Sequence, residues 1–320
     1  MSALRLHLST PRGRALLRFA PAALLLVALV APFALAPYQV SQLTTVWIYA
    51  TAVLGLNLLT GHTGQISAAQ GGFFAIGAYT AAILLDRGLL PPLLTLPAGA
   101  LVALLAGVAL GLPALRLRGL YLALVTLAVA VVVPVVAKRA DGLTGGAGGM
   151  TVDTLAAPTW SGLADDQYLY LVAVALAVAG FGLAVRMTRG ASGRALTAVR
   201  DGEVTAAVVG VNIARVKLQA FGVSAAYAGA AGALYTLAVG FVAPESFTLL
   251  LAFAFLTAMI VGGARTLVGA LVGALFIEYV PATAADVDPS LTGVVYGAAL
   301  LLCVYLLPAG IVGALQTTRR

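Results

Sequence analysis

The chain has 320 residues, of which 62% are hydrophobic and only 9% charged, with a net charge of +7 and a mean hydropathy of +1.05. A water-soluble domain carries about a quarter charged residues, so this chain cannot cover its own surface with polar groups; surrounded by lipid it has no need to. The basic residues form no stripe and have no aromatic interleaving, which argues against nucleic acid as a partner and for a lipid bilayer.

A spanning helix needs about 20 mostly apolar residues. Residues 1–18 read as a cytoplasmic N-terminal tail with Arg5, Arg12, Arg14 and Arg18, followed by an apolar run over 19–37. That run ends Ala34-Leu35-Ala36, which resembles a signal-peptidase site. Pro37 just after the cut and the length of the run favour a retained first helix. Nine further segments follow at 43–60, 72–86, 92–112, 120–137, 168–185, 216–238, 247–262, 267–281 and 291–308. The expected fold class is an all-α polytopic membrane protein of about ten transmembrane helices over 19–308, with 309–320 as a cytoplasmic C-terminal tail.

The charges fix a direction. With the N-terminus inside, Arg116, Arg118, Arg186, Arg189, Arg194, Arg200, Arg215, Lys217, Arg265, Arg319 and Arg320 join the tail arginines on the inside. Only Arg87, Lys138 and Arg139 fall outside, with most of the acidic residues. Fifteen basic residues in and three out is the asymmetry the positive-inside rule requires, and a miscount by one helix would scramble it. The outside loop 138–167 then covers the external mouth, and the inside loop 186–215 is the largest piece facing the cytoplasm. Glycine-rich stretches at 55–77 and 262–273 hint at two related halves.

Several chemistries are missing. There is no GxxxxGK[ST] phosphate loop, and the two histidines, His7 and His62, have no metal-ligand spacing around them. Cys303 stands alone, so no intramolecular disulfide is available, and neither an enzyme nor a cofactor is expected. Ion-coupled carriers keep ionisable residues within their spans. Here only Glu278 lies inside an expected helix, near its outer end, where it reads as snorkelling to the interface.

Two strings are denser. GLNLLTGHTGQISAAQGGFFAIGAYTAA, Gly55 to Ala82, mixes polar residues with glycines at membrane depth. It reads either as a broken or re-entrant segment near 61–72 beside a translocation path, or as helix-packing residues followed by an ordinary loop. On the first reading Asn57, Gln65, Ser67 and Gln70 line the path. GRALTAVRDGEVTAAVVGVNIARVKLQAFGVSAAYAGAAGAL, Gly193 to Leu234, opens with a cytoplasmic helix near 190–210. Leu196, Val199 and Ala206-Ala207 are expected on one side of it, with Arg194, Arg200, Asp201 and Glu203 as charged surface. Gly210 ends it in a left-handed cap. Such a helix docks into a groove on a partner or lies flat on the bilayer.

Together with RLRGLYLALVTLA (Arg116 to Ala128) and LTGGAGGM (Leu143 to Met150), these strings resemble the LivM branch of the high-affinity branched-chain amino acid ABC permeases, over about 43–281. The resemblance implies a transmembrane subunit of a bacterial importer in the plasma (inner) membrane. It pairs with a second, LivH-like permease subunit, two ATPase subunits and an extracytoplasmic solute-binding protein. It also implies that Glu203, Ala206, Ala207 and Gly210 press on the ATPase, with Arg194, Arg200 and Asp201 leading into that segment. Against the family pattern, Ala254 stands where a carboxylate is common, Arg265-Thr266 replaces a small Gly-Ser pair, and Ala69 stands where glycine is frequent. Urea, short amides or another small neutral solute therefore remain open beside amino acids. A self-sufficient channel or an ion-coupled carrier is the alternative from another class.

Overall fold

A computed structural model describes residues 25–117, 119–159, 161–287, 292–307 and 309–317. The tail 1–18, Arg118, Arg319 and Arg320 lie outside the described residues. The chain is a bundle of helices: α1 Leu25–Ala34, α2 Pro37–Leu56, α3 Gln70–Asp86, α4 Thr95–Ala114, α5 Leu120–Arg139 and α6 Asp165–Thr188. There follow α7 Gly190–Asp201, α8 Glu203–Val208, α9 Ile213–Val239, α10 Leu249–Gly262, α11 Leu267–Val287, α12 Thr292–Leu306 and α13 Gly310–Thr317. In hydrocarbon a backbone must satisfy its own hydrogen bonds, and long apolar Ala/Leu/Val runs do so only as helices.

Each of the ten expected segments overlaps a described helix, residues 19–24, 291 and 308 lying outside the described residues. Among the described residues seven helical stretches are long and apolar enough to cross a membrane: Pro37–His62, Pro92–Ala114, Leu120–Arg139, Asp165–Thr188, Ile213–Val239, Pro244–Gly262 and Leu267–Ala285. The shorter apolar ones are α1, α3 and α12. Residues 310–317, expected as a tail, form a helix whose first residue, Gly310, packs against Gly263. Expected segment 267–281 stopped at Pro281, but α11 continues through that proline to Val287.

The core is built on α2 and α9. In their most apolar windows 72% and 67% of residues are buried, against 22–28% for α4, α5 and α6, which places those three at the periphery. Small residues let α9 serve as the hub. At the crossing of α3, α4 and α9 a Cβ on Gly77 would stand 2.0 Å from the Gly229 carbonyl oxygen, and one on Gly229 would stand 2.3 Å from the Ala103 Cβ. The Gly/Ala ladder at 222–233 is thus packing surface, as its composition suggests.

The connections sort onto two ends. At one, strand β1 Met150–Thr151 pairs antiparallel with β2 Phe241–Val242, and Lys138 Nζ lies 3.2 Å from Glu245 Oε1. At the other, residues 61–69, the loop containing α7 and α8, and residues 263–266 come together. Loops that the charge asymmetry assigns to one side therefore meet at one end of the bundle. Gly77→Leu is expected to cost on the order of 3 kcal/mol through overpacking, whereas Gly182→Leu, with open space around its Cβ, should be neutral. Thermal unfolding of the two purified variants in detergent measures this.

Candidate functional site

The string around 55–82 is broken. Helix α2 widens into a π-helical turn, Asn57–His62, and residues 64–68 are not helical before α3 begins at Gln70. Gly64, at φ +74°, turns the chain back toward the bundle. The next residues climb. Gln65 Nε2 donates to the Lys217 carbonyl at 3.4 Å, and Gln70 Nε2 to the Ser224 carbonyl at 3.5 Å. Those acceptors are seven residues apart on α9, about 10 Å at 1.5 Å per residue. This climbing leg takes the place of the first helical turns of α3, which explains why α3 has only 17 residues.

Non-helical backbone at that depth requires internal partners, and polar side chains supply them. The Ala68 amide donates to Thr126 Oγ1 at 3.0 Å, and the Ala69 amide to Ser67 Oγ at 3.3 Å. Thr60 Oγ1 donates to the Gln65 carbonyl at 2.9 Å. Gln70 clamps two helices: its Nε2 donates to the Ala52 carbonyl at 2.5 Å, and its Oε1 accepts from Ser224 Oγ at 3.1 Å.

All four residues expected to line a path are therefore buried, and each is within hydrogen-bonding distance of protein groups. Asn57 Nδ2 donates to the Thr266 carbonyl at 3.1 Å, while its Oδ1 has no partner among the described residues. Beside it a Cβ on Gly61 would overlap the Ala264 carbonyl, so the two glycine-rich stretches, 55–77 and 262–273, meet here. Of the four, Gln65 borders a cavity of about 380 Å³ shared with Thr63, Leu122, Arg200, Glu203 and Lys217.

The helix expected near 190–210 in the other string folds as two, interrupted at Gly202. Leu196, Val199 and Ala206 turn inward as expected, but Ala207, one helical step on from Ala206, faces outward. With Val204, Val208 and Val209, 70–82% exposed, Ala207 forms an apolar knob. The expected left-handed cap is present: Gly210 has φ +83°, its amide donates to the Ala207 carbonyl, and the Val211 amide donates to that of Ala206, both at 3.0 Å.

Two residues expected as charged surface are engaged instead. Arg200 Nη1 donates to the Gly61 carbonyl, which the end of the π-turn leaves available, and its side chain lies over Gly64. Burial lowers the Arg200 guanidinium from its ordinary value, and Arg265 nearby pushes the same way. Glu203 Oε1 lies 2.5 Å from Lys217 Nζ, with side-chain exposures of 24% and 7%. Arg194 and Asp201 border a shallow groove on the outer side of α7. The sequence reading passed over Lys217, although an ammonium one turn inside a span always calls for a partner. It also missed Thr126 and Ser224, which look like ordinary helix residues until the leg docks on them.

Glu278 is placed differently from its expectation. Because α11 runs on past Pro281, Glu278 is the twelfth of 21 residues, in the middle of the helix and out of snorkelling range.

The chain matches the family described as "Branched-chain amino acid transport system / permease component" over residues 39–304. It is 36% identical over 266 residues to the high-affinity branched-chain amino acid transport system permease protein LivM of Salmonella typhimurium, covering 75% of this chain and 62% of that protein. It is 35% identical over 280 residues to the protein of the same name from Escherichia coli, covering 80% and 65%. The matches thus span under two thirds of the length of those relatives. No solved structure matches the chain. A family match across most of a chain built as a polytopic helix bundle has one consequence: the chain belongs to the branched-chain amino acid transport system permease family.

Proposed function

We propose that the chain is a permease subunit of an ABC importer that moves branched-chain or similar amino acids across the bacterial plasma membrane. In this reading ten helices span the bilayer, both termini are cytoplasmic, and the 138–167 loop faces outward. A second permease subunit completes the path, a solute-binding protein delivers the amino acid, and two ATPases supply the energy.

One observation carries the coupling part of this reading. The apolar knob of α8 stands on an otherwise charged loop, and that loop is tied at two points to the structure that would have to move. Arg200 holds the end of α2 through Gly61, and Glu203 holds the start of α9 through Lys217. A push on the knob by an ATPase groove is then delivered to the climbing leg and to the hub helix together. Asn57, Gln65, Ser67 and Gln70 lie along that leg. As it shifts, their hydrogen bonds to protein groups are exchanged for bonds to a passing zwitterion.

The direct test is ATP-driven uptake of leucine into liposomes containing the complete importer. This chain alone should move none. Val208→Asp, at an 82% exposed position, should leave membrane insertion and thermal stability unchanged. It should lower uptake and ATPase stimulation at least about tenfold, roughly 1.4 kcal/mol of docking energy. Glu203→Arg should abolish both activities while inserting normally. Glu203→Lys and Lys217→Glu each strand a charge in a half-buried site, at a cost of about 3–5 kcal/mol. The double exchange should recover at least half of the uptake; a double variant as inactive as the singles would argue that the pair does not transmit motion.

A further inference from the structure

Among the described residues Glu278 is the one charged side chain set well inside a spanning helix; all others lie within about two turns of a helix end or in a connection. It lies on the stripe Ala270, Ala274, Glu278 of α11. The two alanines are fully buried, and Ala274 packs with Val46 and Ala50 of α2 beside Tyr49. One turn further along the same stripe, Glu278 follows Ala274 on the side of α11 that packs beside Tyr49 and Tyr279, and Phe74 links Tyr49 to Tyr235 at centroid separations of 6.3 and 5.4 Å. Glu278 has no hydrogen bond and no ion pair with any described residue.

Its surroundings are aromatic. Tyr49 meets Phe255 edge-on at 5.6 Å between ring centroids, and Phe74 lies 5.4 Å from both Phe255 and Tyr235. Phe247 closes the cluster toward the β1–β2 end, and against it rests Tyr79, whose buried hydroxyl is also without a partner among the described residues. A bare carboxylate in an apolar span is costly unless an opposite charge reaches it. Aromatic faces carry partial negative charge, so together with the carboxylate they attract a cationic group attached to an apolar body. A metal ion needs more ligands, and no group of three His, Cys, Asp or Glu side chains is present among the described residues. A primary ammonium fits. It has three N–H donors, one for the carboxylate and two for the tyrosine hydroxyls, and an attached aliphatic group can rest on the phenylalanine rings.

We propose that Glu278, with Tyr49 and Tyr235, recognises the α-ammonium group of an amino acid as it crosses the membrane, the Phe74–Phe255 rings receiving its aliphatic side chain. This rests on the importer reading above and adds to it a point of selection inside the permease, separate from the solute-binding protein. The paired charges are stable only while both are present, and the carboxylate is bare again once the solute moves on.

The experiment measures uptake of radiolabelled leucine by liposomes holding the complete importer. Glu278→Gln should reduce it at least tenfold at unchanged co-purification of the partner subunits, and Glu278→Asp should retain a substantial part. Glu278→Gln uptake within twofold of wild type would overturn the inference and leave the importer reading standing. Failure of the wild-type importer to move any amino acid would overturn both. A second readout needs no variant. A lipid-soluble carbodiimide should modify Glu278 in the wild-type importer, and leucine during turnover should slow that modification at least threefold, as followed by mass spectrometry. Modification unaffected by leucine would contradict the assignment even if Glu278→Gln failed to assemble.

Discussion

The structure depends on how it accommodates a stretch of non-helical backbone inside an apolar bundle. Residues 64–68 give up their helical hydrogen bonds at a depth where water is scarce, and each bare amide or carbonyl there would cost free energy. Thr60 donates to the Gln65 carbonyl, Thr126 accepts from the Ala68 amide and the Thr60 carbonyl from the Gly64 amide, while the Gln70–Ser224 pair pins the start of α3 to α9. Those partners come from the π-turn, α5 and α9, so the leg is a strip held by several elements at once. The tight glycine crossings around Gly77 and Gly229 place those helices where such short polar side chains can reach.

The same strip contacts the loop that carries α7 and α8. A carbonyl at the end of the π-turn is taken by Arg200, and the first turn of α9 is held through Lys217 and Glu203. Ion pairs exposed to water contribute little, but this one is mostly withdrawn from it, so its geometry is well defined and its loss is costly. The consequence is a compact block of α7, α8, the leg and the start of α9. Its exposed knob is apolar, and the surface turned to the bundle is hydrogen-bonded.

Much of this was legible in the sequence. Apolar runs of spanning length locate the helices, and the basic-residue asymmetry sorts the connections onto two ends as the contacts do. Gly210 sits where a left-handed cap demands glycine. What was hidden has physical causes. Proline at 281 looks like a stop, yet in a span its freed carbonyl can be satisfied by neighbours, so α11 continues and Glu278 moves to mid-helix. Ala206 and Ala207 share the short helix α8, where the helical step of about 100° per residue turns one inward and the other outward. Partners distant in sequence, such as Gln70 with Ser224 or Arg200 with Gly61, leave no local pattern; polar residues at membrane depth announce that partners exist without naming them.

The central claim is that the α7–α8 loop and the climbing leg move as one body. Pulsed electron paramagnetic resonance tests it most directly, with spin labels in the complete importer on a Cys303→Ser background. The exposed positions Ile66, Thr205 and Leu143 serve for labelling. When ATP binds, the distance between labels at 66 and 205 should stay constant while that between 66 and 143 changes. A change between 66 and 205 with none between 66 and 143 would mean that the loop slides over the leg without moving it, and the account would be wrong.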